Sequence, residues 1–242
     1  MAEPREDPEF RTTLTPEEVA RIRRWHEDAY QAAKGESVRP RSYGYLGLRL
    51  VVPCEVQPIT GVSHLLGEAV LREVHAGERV LDMGTGCGVN ALLAAGQGAQ
   101  VVAVDVSPLA VAAARDNARR NHLAGAVDIR QSDVFSAVRE RFDLIIFDPP
   151  FRWFQPRDLL EVATSDHNYR TLTKFFLEVR SHLTPSGRLL VFFGSSGDLG
   201  YLRWLVGHAG FRQEVVARAE LARGDQLVEY LTLRLTQAPS RP

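Results

Sequence analysis

Apolar runs, glycine turns and amphipathic segments alternate along most of this chain in a pattern typical of an α/β sheet. An apolar strand ends at Val80-Leu81, a glycine turn follows, and the segment from Val89 to Ala95 has the composition of a buried helix. Further apolar runs that predict strands lie at 100–105, 127–131, 142–147 and 189–193. Helices are predicted at 107–121, 169–183 and 199–208. Alternating strands and helices predict a mostly parallel sheet with helices on both faces.

The end of the chain predicts how this sheet is completed. Residues 211–217 and 227–235 have the pattern of two antiparallel strands, which bring the sheet to seven strands with an antiparallel strand near the C-terminus. We therefore assign residues 46–237 to one α/β domain and residues 238–242 to a tail. No internal repeat and no second domain are indicated.

Residues 1–45 do not show the alternation of strands and helices, and instead predict a polar tail followed by one helix. Residues 1–13 are polar and predict a loose tail. Thr15-Pro16-Glu17-Glu18 is a capping box that begins an amphipathic helix, which Gly35 can end. Two interpretations stay open for this helix: a lid or substrate-side extension over the active site, or an amphipathic helix docked on the core.

Between this helix and the glycine turn, the chain predicts a strand, a loop and a helix. Leu46, Leu48, Leu50 and Val52 alternate with other residues, which is the period of a half-buried strand. Ser63 is placed to cap a helix running over residues 64–74.

Composition and charge narrow the class of protein. The 242 residues are 45% hydrophobic and 24% charged, as in a globular protein, and no apolar run approaches a membrane span. The N-terminus lacks the apolar stretch of a signal peptide, and Cys54 and Cys87 suggest no disulfide framework, so we expect a cytoplasmic protein. The histidines show no metal-ligand spacing, and we expect no structural metal.

The formal net charge of −1 shows no globally basic character, although a local basic patch is compatible with it. Lys34 and Lys174 are the only lysines, and the other basic residues are arginines. Arginine suits phosphate and carboxylate recognition. Codon usage in a GC-rich genome explains the same bias, and we favour that explanation.

The glycine turn carries the first sign of function. Asp82 ends the strand, and Gly84, Gly86 and Gly88 form a turn before the helix, which is the arrangement of a nucleotide-binding loop. A dinucleotide fingerprint requires a glycine where this chain has Val89. Asp82 would repel a pyrophosphate but would pair with an ammonium group. The loop therefore favours a cationic nucleoside cofactor over NAD.

Acidic residues follow three successive strands as Asp105, Asp133 and Asp148. The carboxyl ends of parallel strands meet at one edge of the sheet, where open α/β sheets bind ligands. We expect these three carboxylates to lie around one site, although each alone is compatible with a turn or a helix cap.

Val80 to Asn90 resembles motif I of the class I S-adenosylmethionine-dependent methyltransferases, which implies a Rossmann-like fold and S-adenosyl-L-methionine as cofactor. By this resemblance Asp105 holds the ribose hydroxyls, Asp133 receives the adenine amino group, and Val134 lies near the adenine ring. The cofactor-binding residues that the resemblance implies are Asp82, Gly84, Thr85, Gly86, Cys87, Gly88, Asp105, Val106, Asp133 and Val134.

Asp148-Pro149-Pro150-Phe151 predicts the chemistry. An amino group conjugated to a ring or carbonyl is a poor nucleophile, so its lone pair must be aimed at the methyl carbon. The Asp148 carboxylate and the Pro149 carbonyl can each accept one N–H, and Phe151 offers a face for stacking. The two prolines stiffen this arrangement.

This run resembles the Asn/Asp-Pro-Pro-Tyr/Phe signature of methyltransferases that act on amino groups, which implies that Asp148, Pro149, Pro150 and Phe151 are catalytic. Residues 151–168 predict a long irregular loop, in which Phe151, Trp153 and Phe154 are expected to bind substrate. The strand, loop and helix before motif I resemble the small methyltransferase-domain group, which includes release-factor glutamine and rRNA or tRNA base methyltransferases.

The substrate class stays open. A nucleobase in RNA, a glutamine in a protein, and a small molecule with an aromatic or amide nitrogen all fit the motif. The form of this signature with Asp at its first position is commoner among enzymes that methylate nucleobases. The near-neutral net charge, however, argues against a large nucleic acid as the substrate. A non-catalytic scaffold that retains the cofactor fold is the alternative from another class, and the intact motifs argue against it. We expect no membrane partner, and the sequence does not indicate the oligomeric state.

Overall fold

The computed structural model describes residues 10–34, 39–158, 161, 164–223 and 226–238. The strands are β1 (Arg41–Tyr45), β2 (Leu48–Val52), β3 (Arg79–Met83), β4 (Gln100–Asp105), β5 (Val127–Gln131), β6 (Phe142–Phe147), β7 (Leu183–Gly194), β8 (Phe211–Arg223) and β9 (Gln226–Gln237). The α-helices are α1 (Pro16–Lys34), α2 (Ser63–Glu73), α3 (Val89–Gly96), α4 (Pro108–Arg120), α5 (Arg170–Glu178) and α6 (Leu199–His208). Single 3₁₀ turns at His167–Tyr169 and Val179–His182 flank α5.

Seven strands form the main sheet in the order β5-β4-β3-β6-β7-β9-β8. Strands β3 to β7 are parallel, and β9 is antiparallel to both of its neighbours. The chain builds outward from β3 to β5 and then returns to place β6 on the other side of β3. This change of direction is a topological switch point, where open α/β sheets bind ligands. The predicted fold class, including the antiparallel strand, is confirmed.

The sheet buries an apolar layer on each face. Val80 and Ile146 pack in the core under α2, α3 and α4, whereas Leu81 and Ile145 pack in the core under α5 and α6. Strands covered on both faces read as continuous apolar runs, which is why their positions are visible in the sequence. Within the described ranges, no helix combines the length and apolar character needed to cross a bilayer.

Strands β1 and β2 form a separate hairpin whose free edge pairs with side chains at the C-terminal end of α4, one within the helix and one at its C-cap. The Asn117 side chain accepts a hydrogen bond from Val51 N (2.8 Å) and donates one to Val51 O (3.0 Å). One turn later, Asn121 makes the same pair of bonds with Arg49, at 2.9 and 2.8 Å. The two amides therefore replace a neighbouring strand and satisfy the backbone groups of the hairpin edge.

Three local predictions need correction. Leu46 does not begin a strand, because Leu46 and Gly47 take positive φ angles (45° and 84°) and form the hairpin turn. Ser63 is the first residue of α2 and not its cap, since its hydroxyl accepts from Thr60 N (3.0 Å) in the preceding loop. The helix predicted over 169–183 is shorter, because Val179–His182 tightens into a 3₁₀ turn and Leu183 already begins β7.

The N-terminal helix begins as predicted. Thr15 N donates to Glu18 Oε2 (2.8 Å) and Glu18 N donates to Thr15 Oγ1 (3.3 Å), which completes the capping box. Gly35 and residues 1–9 lie outside the described residues. The expected loose tail is wrong for Thr12 and Thr13, which bind the Asp198 carboxylate at the start of α6.

We expect Asn117→Ala to lower the free energy of unfolding by about 2–4 kcal/mol, measured by urea denaturation. The amide is fully buried and bonds to both backbone groups of Val51 and to Cys87 O (2.9 Å), so its loss leaves several buried polar groups unpaired. The matched control is Asn121→Ala, which removes the equivalent pair at the exposed end of the hairpin and should cost about 1 kcal/mol. Equal losses in the two variants would contradict this account of the hairpin edge.

Candidate active site

The glycine loop joins β3 to α3 and is shaped by left-handed backbone angles. Gly84, Gly86 and Gly88 have φ of 68°, 55° and 89°. A Cβ at Gly88 would lie 3.1 Å from the Ala114 Cβ, so only glycine lets α4 approach this closely. A Cβ at Gly84 would meet no atom within 4 Å, so the main chain of the loop is open to an approaching ligand at the N-terminus of α3.

Asp82 is buried at the carboxyl end of β3. Its Oδ2 accepts hydrogen bonds from Thr85 Oγ1 (2.6 Å) and Ala91 N (3.0 Å), which tie the strand to the loop and to α3. Burial raises the pKa of Asp82 to about 7, and the charge of Asp105 adds to this effect. A cationic ligand group would reverse the shift, because it favours the carboxylate.

Asp105 ends β4 and is half-buried beside the same loop. Oδ2 accepts from Gly86 N and Oδ1 accepts from Ser107 N, both at 2.9 Å. Burial raises the pKa of this carboxyl, against the effect of the two backbone donors. Each oxygen retains a lone pair, so the pair can accept two further hydrogen bonds from adjacent hydroxyls.

The remaining residues predicted to bind cofactor differ in exposure. Asp133 is exposed and forms an ion pair with Lys174 Nζ (2.8 Å). Val134 is buried with φ of 50°, which is rare for a β-branched residue, and Val106 is 59% exposed beside Asp105. Thr85 and Cys87 are buried in the glycine loop. All of these residues follow the carboxyl ends of β3, β4 or β5.

Asp148-Pro149-Pro150-Phe151 leaves the sheet directly after β6. The Asp148 side chain is accessible to solvent, while protein atoms surround it closely on its other sides. This desolvation raises the pKa of Asp148 to about 7, with a contribution from the charge of Asp82. Asp82 thus lies within electrostatic reach of both Asp105 and Asp148, and the three carboxyls make this edge of the sheet favourable for a cation.

The segment after the motif is ordered by hydrogen bonds. Phe151 O accepts from the Tyr169 hydroxyl, Arg152 O accepts from Asp166 N (2.7 Å), and Trp153 O accepts from Asn168 N (3.0 Å). The half-buried Phe151 ring packs near Phe192, Phe193 and Tyr230, with ring centroids 5.1–6.3 Å away. The predicted irregular loop therefore has a fixed path next to the motif.

Trp153 and Phe154 are only 7% and 9% exposed. Trp153 packs in an aromatic cluster with Phe10 (6.0 Å) and Tyr169 (5.8 Å), and the Arg23 guanidinium of α1 lies over the Phe154 ring (4.6 Å). These contacts dock α1 on the loop. The direct substrate contact expected of both rings stays a prediction, and their observed partners are protein side chains.

A buried contact between a histidine and a carboxylate completes the attachment of α1 to this loop. His26 Nε2 lies 2.9 Å from Glu161 Oε1, and Arg157 bridges Glu161 and Glu27. Burial lowers the pKa of His26, and the Arg152 charge lowers it further. The helix that the sequence left open as a lid or a docked helix is thus attached beside the Asp-Pro-Pro-Phe motif.

Sequence reasoning missed Tyr169, Asn117 and Asp198. The Tyr169 hydroxyl donates to Phe151 O at the end of the motif and accepts from Asp198 N, and Asn117 donates to Cys87 O in the glycine loop (2.9 Å). Each acts by bonding to a backbone group far away in the chain, which leaves no local motif. The one available signal was a polar residue on the buried face of a predicted helix at Asn117.

Comparison with known proteins agrees with this architecture. The family model described as methyltransferase small domain matches residues 60–219. A ribosomal RNA small subunit methyltransferase C of Chromohalobacter salexigens is 38% identical over 130 residues, which cover 54% of this chain and 35% of that protein. A release factor glutamine methyltransferase of Cereibacter sphaeroides is 37% identical over 145 residues, covering 53% and 50%. The chain thus spans half or less of the length of these curated relatives.

Among solved structures, the tRNA m1G37 methyltransferase of M. jannaschii superimposes with a TM-score of 0.63 at 18% identity, covering 85% of this chain and 59% of that one. At this identity the similarity concerns the fold alone. The strand order of the sheet and its antiparallel strand β9 are those of the class I methyltransferase fold. The chain belongs to the methyltransferase small-domain family, and the predicted family is confirmed.

We expect Asp105→Asn to weaken the binding of S-adenosylhomocysteine by about 10- to 100-fold. The substitution replaces a carboxylate that accepts from two backbone N–H groups, and that is expected to accept from the ribose hydroxyls, with an uncharged amide. Isothermal titration calorimetry measures the change. Asp116→Asn on the exposed part of α4 is the matched control and should bind as the unmodified chain does. Unchanged affinity in a folded Asp105→Asn variant would remove Asp105 from the cofactor site.

Proposed function

We propose that this chain transfers a methyl group from S-adenosyl-L-methionine to a planar amino or amide nitrogen held by Asp148-Pro149-Pro150-Phe151. The observation that carries this proposal is the register between β3 and β6. Met83 pairs with Phe147, so the glycine loop and the motif begin side by side on neighbouring parallel strands. Groups bound by the two segments would therefore meet at the same edge of the sheet.

The residues around the glycine loop fit the cofactor. The left-handed glycines leave room for a ligand at the backbone, and Asp105 retains acceptor capacity for ribose hydroxyls. Asp82 and its acidic neighbours suit a ligand with an ammonium and a sulfonium group. When bound, S-adenosylmethionine supplies an electrophilic methyl group. Gly84, Thr85, Gly86, Cys87, Gly88 and Val106 would form the loop side of the site, with Asp133 and Val134 at the adenine end.

The motif would act on the acceptor by orientation. The Asp148 carboxylate and the Pro149 carbonyl would each accept one N–H of the planar amino group, which directs the nitrogen lone pair toward the methyl carbon. The carboxylate would also stabilise the positive charge that develops on nitrogen. Phe151 would stack on the base or amide. Pro150 keeps the segment stiff between these groups.

The names of the two relatives mention two different kinds of substrate. One is named for ribosomal RNA and the other for a glutamine of a release factor. Both a nucleobase and a glutamine side chain carry an amino group conjugated to a ring or a carbonyl, so both meet the requirement of the motif. A small molecule with the same group also meets it. The proposal therefore specifies the type of nitrogen that is methylated. The experiment below identifies the class of molecule that contains it.

The test uses the purified chain, methyl-labelled S-adenosylmethionine and a bacterial cell extract split into RNA, DNA, protein and small-molecule fractions. We expect label in one fraction, and we expect Asp148→Ala to lower its incorporation at least about 100-fold while binding of S-adenosylhomocysteine changes less than about twofold. Asp143→Ala, at the N-terminal end of β6 and so at the opposite end of the strand from the motif, serves as the matched control. Transfer that survives in Asp148→Ala would refute the role of the motif.

The pH dependence follows from the raised pKa of Asp148, which is about 7. The carboxylate is the form that stabilises charge on nitrogen. The transfer rate at low concentrations of both S-adenosylmethionine and acceptor, where the free enzyme titrates, should therefore rise as pH increases through 7 and fall below it. Asp148→Asn keeps one acceptor but cannot ionise, and should transfer more slowly without this inflection. An inflection that persists in Asp148→Asn would assign it to Asp82, whose pKa is also about 7.

A further inference from the structure

The prolines of the Asp-Pro-Pro-Phe motif restrict the backbone at the start of the motif more than at its end. Pro149 and Pro150 have fixed φ angles, and each also restricts the residue before it. Asp148 and Pro149 are therefore constrained by the sequence itself, whereas Phe151 is followed by an ordinary residue. What holds the backbone at Phe151 decides whether the motif keeps a single geometry.

The Phe151 carbonyl is held by a side chain, while the next two carbonyls are held by backbone amides. Its oxygen accepts a hydrogen bond from the Tyr169 hydroxyl. A Cβ at Gly197 would collide with the same oxygen, so the backbone of the β7–α6 loop also packs closely against it. The carbonyl is thus confined by both Tyr169 and Gly197.

Tyr169 is itself fixed in an uncommon conformation. It is fully buried, and its ring stacks on Tyr201 with centroids 5.4 Å apart and an interplanar angle of 11°. Asn168 and Tyr169 take φ angles of 54° and 49°, a left-handed backbone that non-glycine residues adopt rarely. Such strain persists only where the surroundings enforce it, and it is concentrated at functional sites. Here it turns the phenol toward the motif.

The same hydroxyl links the motif to the N-terminal segment. It accepts a hydrogen bond from Asp198 N (2.8 Å), and the Asp198 carboxylate in turn accepts from Thr12 Oγ1 (2.8 Å) and Thr13 N (2.7 Å). Asp198 is fully buried and also caps α6 through Tyr201 N (2.9 Å). The donor and acceptor directions of Tyr169 are therefore both used, and its proton is directed at Phe151.

We propose that Tyr169 is a positioning residue for methyl transfer, whose hydroxyl fixes the Phe151 carbonyl and thereby the acceptor geometry of Asp148 and Pro149. This inference rests on the proposed function of the motif. Loss of the hydroxyl frees the Phe151 peptide groups while the rest of the aromatic cluster stays in place. A misplacement of about 1 Å at the reacting groups is enough to slow a reaction about 100-fold.

The test compares Tyr169→Phe with Tyr201→Phe. The control has the same chemistry in the same cluster, because Tyr201 is buried and its hydroxyl pairs with Thr173 Oγ1 (2.8 Å) instead of the motif. Hydrogen exchange of the peptide covering residues 148–153 reports the freedom of the motif without any acceptor. We expect exchange about tenfold faster in Tyr169→Phe than in Tyr201→Phe, at a temperature where both variants are folded.

A second readout separates positioning from binding. Single-turnover transfer of labelled methyl into the extract fraction that the unmodified chain labels should slow about tenfold in Tyr169→Phe and less than about twofold in Tyr201→Phe. Affinity for S-adenosylhomocysteine should stay the same in both. Equal exchange in the two variants overturns the role of Tyr169, whether or not an acceptor is found. Surviving transfer in Asp148→Ala overturns the proposed function instead, so the two failures are distinguishable.

Discussion

The in-register pairing of β3 with β6 is the constraint on which the rest of the site depends. It brings the glycine loop and the Asp-Pro-Pro-Phe motif to the same edge of the sheet, where the chain changes its direction of winding. The same pairing also brings Asp82 and Asp148 within reach of each other's charge. Two carboxyls in a partly desolvated site oppose each other's ionisation, so the folded chain holds negative potential that a cation relieves.

The parts that could be predicted from sequence are those with a local signature. Continuous apolar runs mark the doubly covered strands, and the acidic residues at their ends indicate the ligand-binding edge. The missed parts join distant segments by bonds between a side chain and the backbone. Tyr169 and Phe151 are 18 residues apart, and Asn117 and Val51 are 66 apart. The hydrophobic periodicity of the sequence does not predict such residue pairs, since only the folded topology brings them together.

The loop at residues 151–168 shows that aromatic composition can suggest a binding role, whereas packing determines which aromatic rings are exposed. Phe151, Trp153 and Phe154 were expected to face substrate, yet Trp153 and Phe154 are covered by the N-terminal segment and α1. Burying large aromatic surface is strongly favourable, so a helix with a matching face will cover it. Phe151, which is half-buried and adjoins the motif, is the ring of the three that is best placed for a ligand.

The Asn117 amide has a consequence for how two distant segments respond to a ligand. It binds the hairpin at Val51 and the glycine loop at Cys87 with a single rigid group. A ligand that holds the glycine loop in this geometry would therefore also favour the docked position of the hairpin. By thermodynamic reciprocity, a partner that holds the hairpin in place would raise the affinity of the loop for that ligand by the same factor. One buried amide thus joins two surfaces that are far apart in the sequence.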